Sequence, residues 1–360
     1  MPRFFLSSRL LSLGVLLVAA AFAAPVFART EFPQAAQPQL ALSSTGRLWL
    51  AYGQGDGVYV AHSEDQGATF SPTRKIANLP GLALGMRRGP RIAVHGEKVT
   101  VTVQTDKVLA LHSNDSGDTW SGLTTVNDVA GGTGEGLHDL AVAPDGSLFA
   151  IWLDNRNGPM ELWGAESKDA GRTWGRNQLV YRSPEKSVCE CCHPSALFDA
   201  AGNLAVMWRN SLAGARDMWM TVRPHGASSF GNALRLGVGT WPLNACPMDG
   251  GRIVALGGGR FGAVWQRAGE VFKVSPDEPE IFVGKGNQPV AFLAPDGIAI
   301  LWQQGPQLWL QRGAATTAPA KLADEARFAS VLALPAAGSA VVAYERGGSK
   351  SQSVVVVVRL

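Results

Sequence analysis

An eight-residue turn, Ser-x-Asp-x-Gly-x-Thr-aromatic, occurs three times and limits the fold of this chain more than any other feature. The copies are Ser63-Glu64-Asp65-Gln66-Gly67-Ala68-Thr69-Phe70, Ser113-Asn114-Asp115-Ser116-Gly117-Asp118-Thr119-Trp120 and Ser167-Lys168-Asp169-Ala170-Gly171-Arg172-Thr173-Trp174. Each follows one alternating, strand-like run and precedes another. The residues suit a tight hairpin. The Asp carboxylate accepts bonds from N–H groups of its own turn, glycine takes a positive φ, and the aromatic pins the turn to its neighbour. Copies spaced 50 and 54 residues apart predict a stacked or radial array of small sheets.

A second repeat reaches further. An apolar strand ends in a turn glycine, and an alternating strand follows that usually closes on an aromatic. It begins at Gln39–Leu42, Gly46 and Leu48–Tyr52, and recurs around Gly96, Gly146, Gly202, Gly259, Gly297 and Gly338. That gives seven units, spaced 38 to 57 residues apart, each with room for four short strands. The two patterns together resemble the Asp-box (BNR) repeat of the sialidase-like β-propellers, over essentially the whole chain beyond residue 28. The expected fold is therefore all-β, a β-propeller with seven four-stranded blades. Six blades is the alternative, if the short unit near Gly297 is an insertion. The last unit shows only three strands, ending in Ser353–Arg359, so the segment around Thr30 to Gln34 is expected to supply its fourth and close the ring. No linker or low-complexity segment interrupts residues 29–360, which are read as a single domain.

Residues 1–28 read as a cleaved secretory signal. Arg3 and Arg9 flank the start of an apolar stretch from Leu10 to Ala24, and Val26-Phe27-Ala28 offers small residues for cleavage. The stretch is too short and wrongly flanked for a membrane span. A periplasmic or secreted protein is expected, acting as a monomer. Loss of Arg3 and Arg9 with the leader takes the formal charge from +3 to +1. A balance so near neutral argues against nucleic acid or an anionic membrane as partner. Forty-two glycines and eleven tryptophans suit an all-β protein with many turns and bulky side chains between sheets.

In the propeller frame, with strand A innermost and D outermost, the A–B turns and the Asp-boxes share one face. The D–A and B–C connections share the other, at the mouth of the central channel. The Asp-boxes are thus fold staples. On the channel-mouth face stands a cluster that the repeat does not explain: Ser187-Val188-Cys189-Glu190-Cys191-Cys192-His193-Pro194 before one inner strand, and Asn244-Ala245-Cys246-Pro247-Met248-Asp249 before the next. These segments hold all four cysteines. One reading is two disulfides, usual for an exported chain with an even count. Of the three connectivities, Cys189–Cys192 with Cys191–Cys246 avoids vicinal and one-residue links. A Cys-x-x-Cys loop can also be redox-active. The sharper reading is a soft-metal site, for copper or zinc, built from Cys189, Cys191, Cys192, His193, Cys246 and the Met248 thioether.

The resemblance to sialidases implies an exo-acting glycosidase with an arginine triad on the substrate carboxylate, a tyrosine nucleophile paired with a glutamate, and an aspartate acid/base. The aromatic-Arg-Ile-Pro motif of that family is absent. Gly89-Pro90-Arg91-Ile92 comes nearest, but it follows the first Asp-box and lacks the final proline. Tyr344 beside Glu345 is the one plausible nucleophile pair, with Asp139 as an admissible acid/base, while Tyr344 also fits the aromatic that closes strand B. His138, Asp154, Arg156, Arg209 and Arg267, at strand ends facing the channel mouth, are candidate ligand-binding residues. The sequence thus points to an exported binding protein. Its channel-mouth face is expected to take a small molecule, a metal, a glycan or a cell-envelope protein. A glycoside hydrolase acting on sialic acid or a related acidic sugar is the alternative.

Overall fold

The computed structural model describes Met1 and residues 29–360, apart from residues 130, 186, 277, 314–316, 337 and 348–352. Residues 2–28 of the expected leader lie outside the described residues. Seven four-stranded antiparallel sheets make up the fold. Their innermost strands are Ala36–Leu42, Arg91–His95, His138–Val142, Ser195–Phe198, Gly251–Gly257, Asn287–Ala294 and Arg327–Ala333, for blades 1 to 7 in turn. Each adjoins the next, and the seventh returns to the first, so the strands encircle one axis. The count is seven and not six: the short unit near Gly297 is a complete blade, with strands from Asn287 to Ala323.

Blade 7 is completed from the far end of the chain. Arg29–Pro33 pairs antiparallel with Val354–Arg359, Thr30 opposite Val357 and Phe32 opposite Val355. Phe32 is buried, in edge-on contact with Phe70 of the first Asp-box. The edge that Val354–Arg359 would offer to other chains is thereby covered.

The hydrophobic core is divided rather than central. Seven clusters of buried apolar side chains lie one between each pair of neighbouring blades. A strand pressed between two others must be apolar on both faces, which is why Leu148–Asp154 and Leu204–Arg209 are buried along their whole length. The aromatics that close strand B, Trp152, Trp208, Trp265 and Trp302, are almost wholly buried.

The Asp-boxes take the geometry their residues require. In each, the Ser hydroxyl accepts from the glycine N–H at 2.8 Å, and the Asp carboxylate accepts from the Thr N–H and hydroxyl. The turn glycines lean on the preceding blade: Gly67 meets Val341, Gly117 the ring of Trp49, and Gly171 the Thr100 side chain. A Cβ on Gly117 would stand 2.4 Å from the Trp49 ring, and its φ is +86°. Only glycine fits there. The boxes staple blade to blade and carry no chemistry at the channel mouth.

Candidate functional site

On the D–A face, the connection into blade 4 is held down at its start. Val188 N–H donates to Met160 O at 2.9 Å, and Cys189 N–H donates to Arg209 O at 3.0 Å. The connection into blade 5 is tied by Pro242, which bridges to Ala215, and by Asp249, whose carbonyl accepts from Arg209 Nε at 3.0 Å. Arg209 thus fixes both segments, and their sulfurs meet. Cys191 and Cys246 form a disulfide, while Cys189 and Cys192 are free thiols. The Cys189 and Cys192 sulfurs lie 3.3 Å apart, and Cys189 Sγ lies 3.8 Å from Cys191 Sγ. Cys189, Cys191 and Cys192 are all buried, with the half-buried Met248 packed against them, whereas Cys246 is exposed. The hydrogen-bonded contact with Cys192 lowers the Cys189 thiol to about 7, while burial pushes Cys192 well up. The two thiols are thus shifted in opposite directions, Cys189 towards the thiolate and Cys192 away from it.

His193 belongs to the other side of the same connection. Its Nδ1 accepts from the Gly250 N–H at 3.2 Å, and the imidazole lines the channel with Arg87, Arg91, Arg252 and Asp139. Burial, reinforced by these arginines and Arg209, lowers its pKa well below the ordinary value and keeps it neutral. A Cβ on Gly250 would fall 2.2 Å from His193 O, so the close approach of the two connections needs glycine at that position.

Within the channel, Arg91 and Arg252 converge on one carboxylate, and Arg87 beside them is held by Gln288 and backbone. Asp139 Oδ1 lies 3.6 Å from Arg91 Nε, and its Oδ2 lies 3.2 Å from Arg252 Nη1 and 3.0 Å from Ala196 N. Arg91 also donates to the carbonyls of Arg87, Gly89 and Pro90. Arg87 donates to Gln288 through its side chain and carbonyl and to Ala329 O. Burial lowers both Arg87 and Arg91 to about 10, so both remain charged at neutral pH. The space they enclose is about 30 Å³, enough for one or two waters and not for a sugar ring.

The other expected site residues are placed as follows. Tyr344 packs between blades 6 and 7 with Val290, Leu301 and Val356, away from the channel lining. Glu345 Oε1 accepts from Gln37 N and Nε2, each at 2.7 Å, and its Oε2 lies 3.5 Å from Arg327 Nη2. Burial raises the Glu345 carboxyl. It lines a recess of about 680 Å³ between blades 7 and 1, with Arg327, Asp56 and Leu84. His138 is buried, 3.1 Å from the Thr102 hydroxyl. Asp154 is bonded to Arg156 and to Trp152 Nε1, and Arg156 stacks over Trp163. Arg209 spends all three guanidinium nitrogens on carbonyls, of Asp249, Arg216 and Gln266. Arg267 is paired with Glu280. The structure therefore unites the four cysteines with Met248, and Arg91 with Asp139 and His193. It places Tyr344 in the core between blades 6 and 7, and Glu345 in the recess between blades 7 and 1, within electrostatic reach of Arg87.

Three channel residues escaped the sequence reading: Arg87, Arg252 and Gln288. Arg252 had a signal. Gly250-Gly251-Arg252-Ile253 repeats the Gly-x-Arg-Ile of Gly89-Pro90-Arg91-Ile92, each arginine at the start of an inner strand, five and seven residues before the A–B turn glycines Gly96 and Gly259. Arg87 carries no repeat signal, because it sits in an irregular connection at φ +68°.

No family model matches the chain, and no curated protein matches it in sequence. Solved structures do match in shape. YCF48 bound to the D1 peptide superposes with a TM-score of 0.55 at 12% identity, over 93% of this chain and 96% of that one. An α-L-arabinofuranosidase from Fusarium graminearum, complexed with an iminosugar inhibitor, gives 0.55 at 13%, over 93% and 97%. The intramolecular trans-sialidase from Ruminococcus gnavus gives 0.50 at 13%, over 91% and 94%. The fold is thus that of the sialidase-like propellers, here without the aromatic-Arg-Ile-Pro motif.

Proposed function

We propose that this is an exported binding protein that takes up a soft metal ion, copper(I) before others, through Cys189 and Cys192, with the Met248 thioether as a third donor. The observation that carries the reading is two buried free thiols at 3.3 Å with a methionine packed on them. Soft, polarisable sulfur donors in low number suit copper(I), while structural zinc takes four ligands. With Cys191 and Cys246 bonded to each other and His193 Nδ1 engaged by Gly250, a four-ligand zinc set is harder to assemble. The lowered Cys189 thiol supplies a thiolate near neutral pH. The apolar leader at residues 1–28 supports export, and the protein's working place is proposed as periplasmic or secreted.

The test is competition for copper(I) against a chromophoric chelator, with the Cys191–Cys246 disulfide intact. We expect one copper per chain, and at least a hundredfold weaker binding in Cys189→Ser and Cys192→Ser. Equal binding by wild type and both variants would overturn the assignment.

One observation favours a second reading, a glycoside hydrolase on acidic sugars: Arg87, Arg91 and Arg252 converge in the channel, as a carboxylate-binding triad would. Against it stand their backbone partners, the 30 Å³ of space and the interior position of Tyr344. Turnover of fluorogenic sialosides or uronides by the purified protein, lost in Arg252→Ala, would establish it. No turnover beside an active control enzyme would remove it.

A further inference from the structure

The cysteine cluster holds a dithiol and a disulfide in contact, and a metal site needs only the first. Cys189 Sγ touches Cys192 Sγ on one side, at 3.3 Å, and the disulfide sulfur of Cys191 on the other, at 3.8 Å. The far end of that disulfide, Cys246, is exposed, while the other three sulfurs belong to buried residues. We propose that the four cysteines form a thiol–disulfide relay, in which the buried Cys189/Cys192 pair passes two electrons to the Cys191–Cys246 disulfide and presents a thiol at the surface on Cys246.

Two exchanges accomplish this, each an attack of a thiolate on a disulfide sulfur. The Cys189 thiolate attacks Cys191 Sγ; the Cys189–Cys191 bond forms, the Cys191–Cys246 bond breaks, and Cys246 leaves as a thiolate that takes a proton from water. Cys192 then gives its proton to water and attacks Cys189 Sγ. The Cys189–Cys192 bond forms, and Cys191 leaves as a thiolate that is protonated in turn. Cys189 and Cys192 are oxidised, Cys191 and Cys246 reduced, and no outside oxidant or reductant is consumed. The surface thiol can next attack a disulfide of a partner protein, giving a mixed disulfide that Cys191 resolves. Cys191–Cys246 is then restored, and the partner leaves as a dithiol. Cys189 is central because its sulfur lies within 4 Å of both the free Cys192 thiol and the disulfide sulfur of Cys191.

The relay goes beyond the metal reading and does not depend on it, so its test is run on chelator-treated, metal-free protein. Native protein carrying only the Cys191–Cys246 disulfide is exposed to a maleimide, quenched in acid, and mapped by peptide mass spectrometry. In Cys192→Ser, we expect the maleimide on Cys246 and a trapped Cys189–Cys191 link. Labelling of Cys246 should be at least tenfold faster than in the double variant Cys189→Ser/Cys192→Ser. Wild type gives the same reading without substitution, as labelled Cys246 beside a new Cys189–Cys192 link. If Cys246 stays unlabelled and Cys191–Cys246 persists in wild type and Cys192→Ser alike, the relay is overturned whatever the copper titration shows. If the relay operates and copper(I) is not bound, the metal reading alone fails.

Discussion

His138 shows how a single side chain can set the pH response of a folded ring. Burial, helped by the charge of Arg91, lowers its pKa to about 3 from an ordinary 6.5, so the folded protein holds it neutral. The unfolded chain takes up that proton first as pH falls. The stability His138 contributes is therefore full above pH 6.5 and drains as pH drops toward 3, in parallel with buried His193. One proton is worth about 1.4 kcal/mol per pH unit. Replacing His138 by Gln, which can still reach the Thr102 hydroxyl, should flatten the fall in unfolding free energy between pH 6 and 4 by roughly that slope. Urea melts of both proteins across this range measure it, and parallel slopes would show that His138 contributes nothing. Elsewhere at this scale the sequence was an uneven guide. The Asp-box residues were legible because each bonds within its own turn. Arg156, Arg209 and Arg267 looked like ligand-binding side chains at strand ends, yet each is spent on partners from other strands or blades. Those partners lie up to 57 residues away in sequence for Arg209, beyond the reach of any local pattern.

Among the elements, the five-residue strand Arg29–Pro33 carries the most consequence for its length. It covers the edge of Val354–Arg359, whose Val355 to Val358 run is buried and wholly β-branched. Removing residues 29–33 should cost at least the ~2–3 kcal/mol that burial of the Phe32 ring contributes. It would also leave an apolar edge open to pairing with other chains. Size-exclusion chromatography of the shortened protein should show oligomers together with a lower melting temperature. A monomer melting where the full chain does would refute the closing role. This closure was readable from the sequence because a strand was missing at one end and a strand-like run stood spare at the other. The blade count was readable for a similar reason, since the A–B glycine recurs in blades whose Asp-box has been lost.

Across the whole molecule, the blades are tied twice: by seven interblade cores and by a knot of charge in the channel. Asp139 of blade 3 joins Arg91 of blade 2, Arg252 of blade 5 and the backbone of blade 4 at Ala196. Replacing Asp139 by Ala leaves Arg91 buried without its carboxylate, and taking one partner from a buried pair costs about 3–5 kcal/mol. Arg252 is over a third exposed and contributes less to that loss. We expect a destabilisation of about 3 kcal/mol, read by urea denaturation, and a smaller one for Arg252→Ala. Equal losses in the two variants would argue that the exposed arm of the bridge matters as much as the buried one.

The sequence by itself pointed to the propeller, favoured seven blades over six, and anticipated its closure and the meeting of two cysteine segments on one face. Those properties are written in local periodicity and in short turns whose hydrogen bonds close within eight residues. Only the tertiary structure decided which sulfurs pair, that His193 turns to Gly250 and the channel, and that Tyr344 is packed between blades. It also decided that Arg87 and Arg252 join Arg91 about the axis. The physical reason is that channel and cluster are built where separate blades converge. A side chain's role there depends on which distant carbonyl, carboxylate or sulfur lies within about 3–4 Å, the range of a hydrogen bond or a sulfur contact.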